Sequence, residues 1–250
     1  MPEEPLKYSQ HQAARVVLVI LSAVIAILIA VQTAPGQGTP PSRGTTPNPA
    51  RAERFYERAQ EADHYYQDHR SAAPLYQQAC DLGEPKACSD LGYLYDNSLG
   101  VNHDPQKAAK LYHQGCDGGN AIGCRNLGLD YMYGEGVTRN TKEAAELSQK
   151  ACESGDALGC TNLGYLYYKG DGVPHNPQIA VGLFRKGCDG GGPAGCRDLA
   201  IEYESGEGVV GNLSAAKQLF QKACTLGDQY SCDYLKGTKP RMMIIPLPRP

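Results

Sequence analysis

The chain has 250 residues, room for one or two ordinary domains, and its 24 Lys and Arg against 27 Asp and Glu leave a formal net charge of −3. With that balance no basic face of the kind that binds nucleic acid stands out. Ten cysteines and no tryptophan point to disulfides in an oxidising compartment or to metal sites, and spacing must decide between them.

Residues 1–15 read as a short cytoplasmic N-terminus. Val16 to Val31 is apolar except for Ser22, at the border between a signal peptide's apolar region and a short membrane span. Lys7 and Arg15 precede it, and no Lys or Arg follows until Arg43. This asymmetry keeps the N-terminus inside and sends the rest of the chain across. Gln32-Thr33-Ala34 before Pro35 makes a poor cleavage site, so 16–32 is expected to be an uncleaved signal anchor or transmembrane helix. Cleavage would instead release a secreted protein. Residues 33–50, rich in Pro, Gly and Thr, are expected to form a disordered stalk.

From residue 51 to 237 the chain is a repeat. Cysteines stand at 80, 116, 152, 188 and 224, each 36 after the last, and again at 88, 124, 160, 196 and 232, each 8 after its partner. A fixed period of this size marks stacked units that cannot bury their apolar faces alone. Before them, "RAERFYERAQEADHYY" reads as a capping helix. Each unit then carries two helix signals. Asp68, Asp104, Asn140, Asn176 and Asn212 are caps for the first, with Pro105 and Pro177 at its first position. Small residues with Leu111, Leu147, Leu183 and Leu219 give one apolar stripe. Gly83, Gly119, Gly155, Gly191 and Gly227 end it.

The second helix is capped by Asn120, Asp156 and Asp228 in three units, and Leu91, Leu127, Leu163 and Leu199 form its buried ridge. Gly92, Gly128, Gly164 and Ala200 follow, where a missing side chain admits a neighbouring helix. Tyr95, Tyr131, Tyr167 and Tyr203 lie one turn on. Glycine-framed turns such as "GEGV" stop the helix, although the first unit has "SLGV". Residues 238–250 are an apolar tail broken by proline.

A metal site needs four convergent ligands, yet seven residues separate each cysteine pair and no histidine recurs in register. The disulfide reading fits better. One cysteine closes a helix, the other opens the next, and a glycine turn brings them together. The expected bonds are Cys80–Cys88, Cys116–Cys124, Cys152–Cys160, Cys188–Cys196 and Cys224–Cys232, with no metal and no cofactor. They require an oxidising compartment, in agreement with the export segment.

The pattern "NLGxxY…GxGV…KAA" at 36 residues resembles Sel1-like repeats, relatives of tetratricopeptide repeats. The added cysteine pair resembles the cysteine-rich Hcp subfamily, many of whose members carry a β-lactamase-like label. The last unit departs from the pattern at Lys236-Gly237, so its second helix is expected to be short. The resemblance implies an all-α fold, a right-handed solenoid of helix pairs with a concave groove lined by the Leu-Gly-x-x-Tyr helices. Along that groove it places Ser89, Arg125, Thr161 and Arg197 at one position. Tyr93, Leu129, Tyr165 and Ile201 share a second, and Asp96, Met132, Tyr168 and Glu204 a third. Asp90, Asn126, Asn162 and Asp198 lie beside them. The amides could bond a peptide backbone and the two arginines a carboxylate. Alternatively, these polar groups could satisfy the array's own backbone.

The leading functional expectation is a membrane-anchored scaffold facing the periplasm. It would bind a peptide, a partner protein or a peptidoglycan fragment, and no nucleic acid. The alternative is weak β-lactam binding or hydrolysis. "SAAK" fits S-x-x-K at Ser214 and Lys217, but Ser214 belongs to a helix start, and Lys-Thr-Gly and Ser-Asp-Asn are absent. The six histidines read as scattered surface residues.

Overall fold

Asn48 accepts the N–H of Arg51 and Pro49 occupies the first helical position, so the chain enters a helix as soon as the Pro/Gly/Thr-rich stretch ends. In this computed structural model, residues 48–238 are described. The expected anchor, nearly all of the stalk and most of the C-terminal tail lie outside them. Eleven α-helices follow, with no strand among the described residues. Helix α1 (Pro49–Gln60) continues into a π-helical turn (Glu61–Tyr65). Outer helices α2 (His69–Asp81), α4 (Pro105–Asp117), α6 (Thr141–Glu153), α8 (Pro177–Asp189) and α10 (Leu213–Thr225) alternate with inner helices. The inner ones are α3 (Pro85–Asp96), α5 (Ala121–Tyr133), α7 (Ala157–Lys169), α9 (Pro193–Ser205) and the short α11 (Gln229–Leu235). No described helix is long and apolar enough to cross a membrane.

The caps fall where the sequence puts them. Asp68, Asp104, Asn140, Asn176 and Asn212 each accept the N–H three residues on. Asn120, Asp156 and Asp228 do the same for α5, α7 and α11. Between outer and inner helix the chain reverses at Gly83, Gly119, Gly155, Gly191 or Gly227, with φ from 84° to 97°. The degraded first turn has a backbone consequence. Ser98 takes φ 59° where Gly134, Gly170 and Gly206 stand in later units, a left-handed geometry that costs a residue bearing a Cβ about 1 kcal/mol.

All five cysteine pairs are bonded as expected, with Cα–Cα distances of 4.4–4.8 Å. Each ties the last turn of an outer helix to the first turns of the next inner one. Between the two layers the buried Leu91 packs in one cluster with Tyr76, Leu127 with Tyr112, Leu163 with Leu183 and Leu199 with Phe184. A Cβ at Gly164 would stand 2.8 Å from the Phe184 ring, and one at Gly92 equally close to Tyr112. The close approach inferred for this glycine column is real at these positions.

The two layers differ in what they bury. Outer helices hide one stripe of small and aromatic side chains and expose the rest. Inner helices touch the outer helices and also one another: α3 meets α5, α5 meets α7 and α7 meets α9. They are therefore buried on most sides, and a polar residue on them needs an internal partner.

Candidate functional site

Several positions assigned to a groove from the sequence lie inside the array. Ser89 and Thr161 are 2% and 1% exposed. Their hydroxyls donate to the carbonyls of Pro85 and Ala157, one turn back on their own helices. They sit on glycines of the neighbouring pair: a Cβ at Gly115 would overlap the Ser89 hydroxyl, and one at Gly187 the Thr161 hydroxyl. Met132 is buried among Leu129, Leu163 and Leu166. These three are packing residues, because their helices have neighbours where the groove reading assumed open space.

Arg125 and Arg197 do hold carboxylates, but the chain's own. Arg125 Nη1 donates to Asp156 at 3.1 Å, and Arg197 Nη1 to Asp228 at 2.9 Å. Each acceptor is the cap residue of the inner helix two elements on. The Nε groups donate to Asn126 and Asp198 beside them. Arg197 is 5% exposed, so this charge is spent on joining repeats.

The Asn/Asp column splits as well. Asp90 accepts the Tyr56 hydroxyl at 3.0 Å, tying α1 to α3, and burial outweighs that bond to push its carboxyl up to about 6. Asn126 is taken by Arg125. Asp198 is fully buried, and desolvation carries it up to about 7 against the pull of Arg197. Asn162 is 2% exposed, and its Nδ2 has no hydrogen-bond partner among the described residues. Glu204 accepts the Tyr234 hydroxyl of α11.

Tyr93, Tyr165 and Tyr168 remain half-buried on inner helices, at the surface. The Lys169 ammonium lies 5.9 Å from the Tyr165 ring centre and 5.4 Å from that of Tyr168. His175 Nδ1 donates to the Tyr168 carbonyl at 2.6 Å. Burial raises both phenols, aided by Asp171 and Asp198 at Tyr165 and by Glu207 and Glu202 at Tyr168. Tyrosines of α7 and carboxylates of α9 thus share one seam.

Sequence reasoning passed over Glu202. It is 1% exposed, neither carboxylate oxygen has a hydrogen-bond partner among the described residues, and burial pushes it up to about 8. Its column reads Leu94, Asp130, Leu166, Glu202: an acid in every second repeat where the helix otherwise places leucine. That alternation, 72 residues long, was the available signal. His69 was also misread as a surface residue. It pairs through Nδ1 with the buried Asp63, which accepts the Tyr76 hydroxyl at 3.1 Å.

Ser214 and Lys217 are both exposed on the first turns of α10. Lys217 lines a cavity of ≈ 430 Å³ with Glu204, Phe220 and Tyr234, which Ser214 does not reach. This does not assemble an acylation site. No cluster of three or more metal-ligating side chains occurs among the described residues.

Comparison with known proteins fits this geometry. The Sel1 repeat pattern matches residues 36–64, 65–84, 85–120, 121–156, 157–192 and 193–228. The chain belongs to the Sel1 repeat family. In this frame the last four Sel1 repeats each begin with an inner helix, and the first four disulfides cross from one repeat to the next instead of closing within a unit. The chain is similar to c5321, a protective antigen present in uropathogenic Escherichia coli strains and displaying the same repeat fold. Identity is 29%, the match covers 74% of this chain and 40% of that one, and the TM-score is 0.66. A Sel1 repeat protein from Oxalobacter formigenes is 24% identical over 80% of this chain and 78% of that one, with TM-score 0.70. Helicobacter pylori cysteine rich protein B is 30% identical over 53% of this chain and 96% of that one, with TM-score 0.45. Among curated proteins none matches. Sel1 arrays serve as scaffolds for protein partners, and the five disulfides suit an oxidising, extracytoplasmic environment.

Proposed function

We propose that this Sel1 array is a membrane-tethered scaffold on the periplasmic side of the inner membrane, of the cysteine-rich kind, and that it holds an extended peptide segment of a partner protein. The observation that carries the reading is Asn162. A buried amide nitrogen with no acceptor costs about 1–3 kcal/mol, and Asn162 Nδ2 is such a group, whereas side-chain oxygens of the other three members of this column are answered by Tyr56, Arg125 or Arg197. Asn162 lies one turn from Tyr165, and its amide is a donor for a peptide carbonyl. The half-buried tyrosines supply apolar surface with polar tips. The apolar stretch 16–32 supplies the tether and the disulfides the compartment.

The test is retention of a positional-scanning library of acetylated, amidated hexapeptides by the immobilised full chain. Asn162→Leu and Tyr165→Ala should each lower retention about tenfold, while Gln149→Ala on the outer face leaves it unchanged. Equal retention by all variants would remove the inner layer as the binding face. Selective retention of peptidoglycan fragments in place of peptides would reassign the ligand. Resistance of the full chain to carbonate extraction from membranes checks the tether.

A further inference from the structure

Resting on the inner-face reading above, we propose that the α7–α9 seam is a receptor for one cationic side chain, the ammonium of lysine or guanidinium of arginine, on the bound segment. The cation lies against the rings of Tyr165 and Tyr168 and is neutralised by Glu202 with Asp198 behind it.

Three observations converge. The first is Glu202 itself. Leucine occupies its register position in α3 and α7, so the fold does not need an acid there. Two buried carboxylate oxygens without a donor among the described residues are a cost that packing does not return. The second is the charge inventory of the seam. Arg197 donates through Nε to Asp198 at 3.0 Å and through Nη1 to Asp228 at 2.9 Å, and its remaining Nη2 has no hydrogen-bond partner among the described residues, Glu202 included. His175 lies toward Glu207, 3.9 Å away, and Lys169 forms no ion pair with Glu202 among the described residues. Glu207 and Asp198 add to the cost of ionising Glu202, which a single incoming cation relieves. The third is Asn162, a buried donor without a partner on the facing helix. It can hold the ligand backbone while Glu202 holds the side chain.

The rings already show that they accept a cation, since Lys169 lies over both. A ligand ammonium or guanidinium gains the same attraction together with a carboxylate that Lys169 does not reach. Because Glu202 is 1% exposed, entry of the cation requires the side chains that cover it to move aside.

The hexapeptide library tests this separately from the scaffold reading. On the full chain, Lys or Arg should be enriched at least fivefold over norleucine at one library position. Glu202→Leu and Glu202→Gln should both abolish that enrichment and keep the preferences at the other positions. Raising the pH from 6 to 9 should strengthen Lys- and Arg-peptide binding as Glu202 deprotonates, with Asp198, Glu207, His175, Lys169 and the two tyrosines as the surrounding charges. Retained peptides that are sensitive to Asn162→Leu but show no cationic preference would overturn this inference and leave the scaffold standing. So would a cationic preference that survives both Glu202 variants. A chain that retains no peptide would overturn both.

Discussion

Between α3 and α5, and again between α7 and α9, a small hydroxyl rests on glycine. Between α5 and α7, and again between α9 and α11, an arginine reaches the cap of the next inner helix. The rest of each seam follows the joint. Leu129, Met132 and Leu166 make the α5–α7 seam apolar, whereas α7–α9 brings Tyr165 and Tyr168 to Asp198 and Glu202. One 36-residue brick is therefore laid with two alternating joints. The arginine joints tie inner helix to inner helix through ion pairs, and the α7–α9 joint leaves Asn162 Nδ2 and the Glu202 carboxylate without partners among the described residues. The binding function proposed above belongs to the α7–α9 joint.

Reducing the disulfides should have the largest effect, and it should ignore the distinction. Each closes a short loop worth about 2–3 kcal/mol, and five together rival the 5–15 kcal/mol total of an ordinary domain. The fully reduced chain should lose its cooperative melt at 37 °C by circular dichroism. Replacing the pair Cys152 and Cys160 by alanine should cost as much as replacing Cys188 and Cys196. A large inequality would mean the joints share the load differently.

Arg197→Met separates the joints. It strands Asp198 and Asp228, and urea unfolding should show a loss of about 3–5 kcal/mol. Arg125→Met should cost less, since Arg125 and its partner Asp156 are more exposed and its neighbour Asn126 is neutral. Equal and negligible losses would show that the arginines do not hold the array. Gly187→Ala gives the glycine joint the alanine that Ala151 and Ala223 supply in the other kind. The new methyl meets Thr161, and the expected loss is about 1–3 kcal/mol. A neutral outcome would show the two joints to be interchangeable.

A smaller effect follows from pH. Burial raises Asp90 to about 6, Asp198 to about 7 and Glu202 to about 8. A carboxyl raised by folding contributes stability below its unfolded value and loses it as pH rises through the folded one. Tm should therefore fall from pH 5 to pH 9, and less steeply in Glu202→Leu. A Tm that rises over this range would contradict the assignment.

What could be read from the sequence was whatever the period locks in place. Caps, turn glycines, the leucine ridge and the cysteine pairs serve the same purpose in every unit, so repetition identifies them. The free face of the inner helix could not be read this way. Variation at Ser89, Arg125, Thr161 and Arg197 looked like ligand choice, but it is the alternation of two internal joints. Helices enclosed by neighbours can vary for packing reasons. Glu202 escaped notice because its column, Leu94, Asp130, Leu166 and Glu202, lies outside the invariant ridge and was given no role, and only the 72-residue alternation betrays it.

The most direct measurement is the Tm of Glu202→Leu at pH 8. If Glu202 is kept for a ligand and not for the fold, leucine, already native at 94 and 166, removes an unpaired buried carboxyl. Tm should then rise by about 3–6 °C while the preference for Lys- and Arg-containing peptides disappears. A fall in Tm would show that Glu202 serves the architecture, and would contradict the division between joints that bind the repeats and joints that bind a partner.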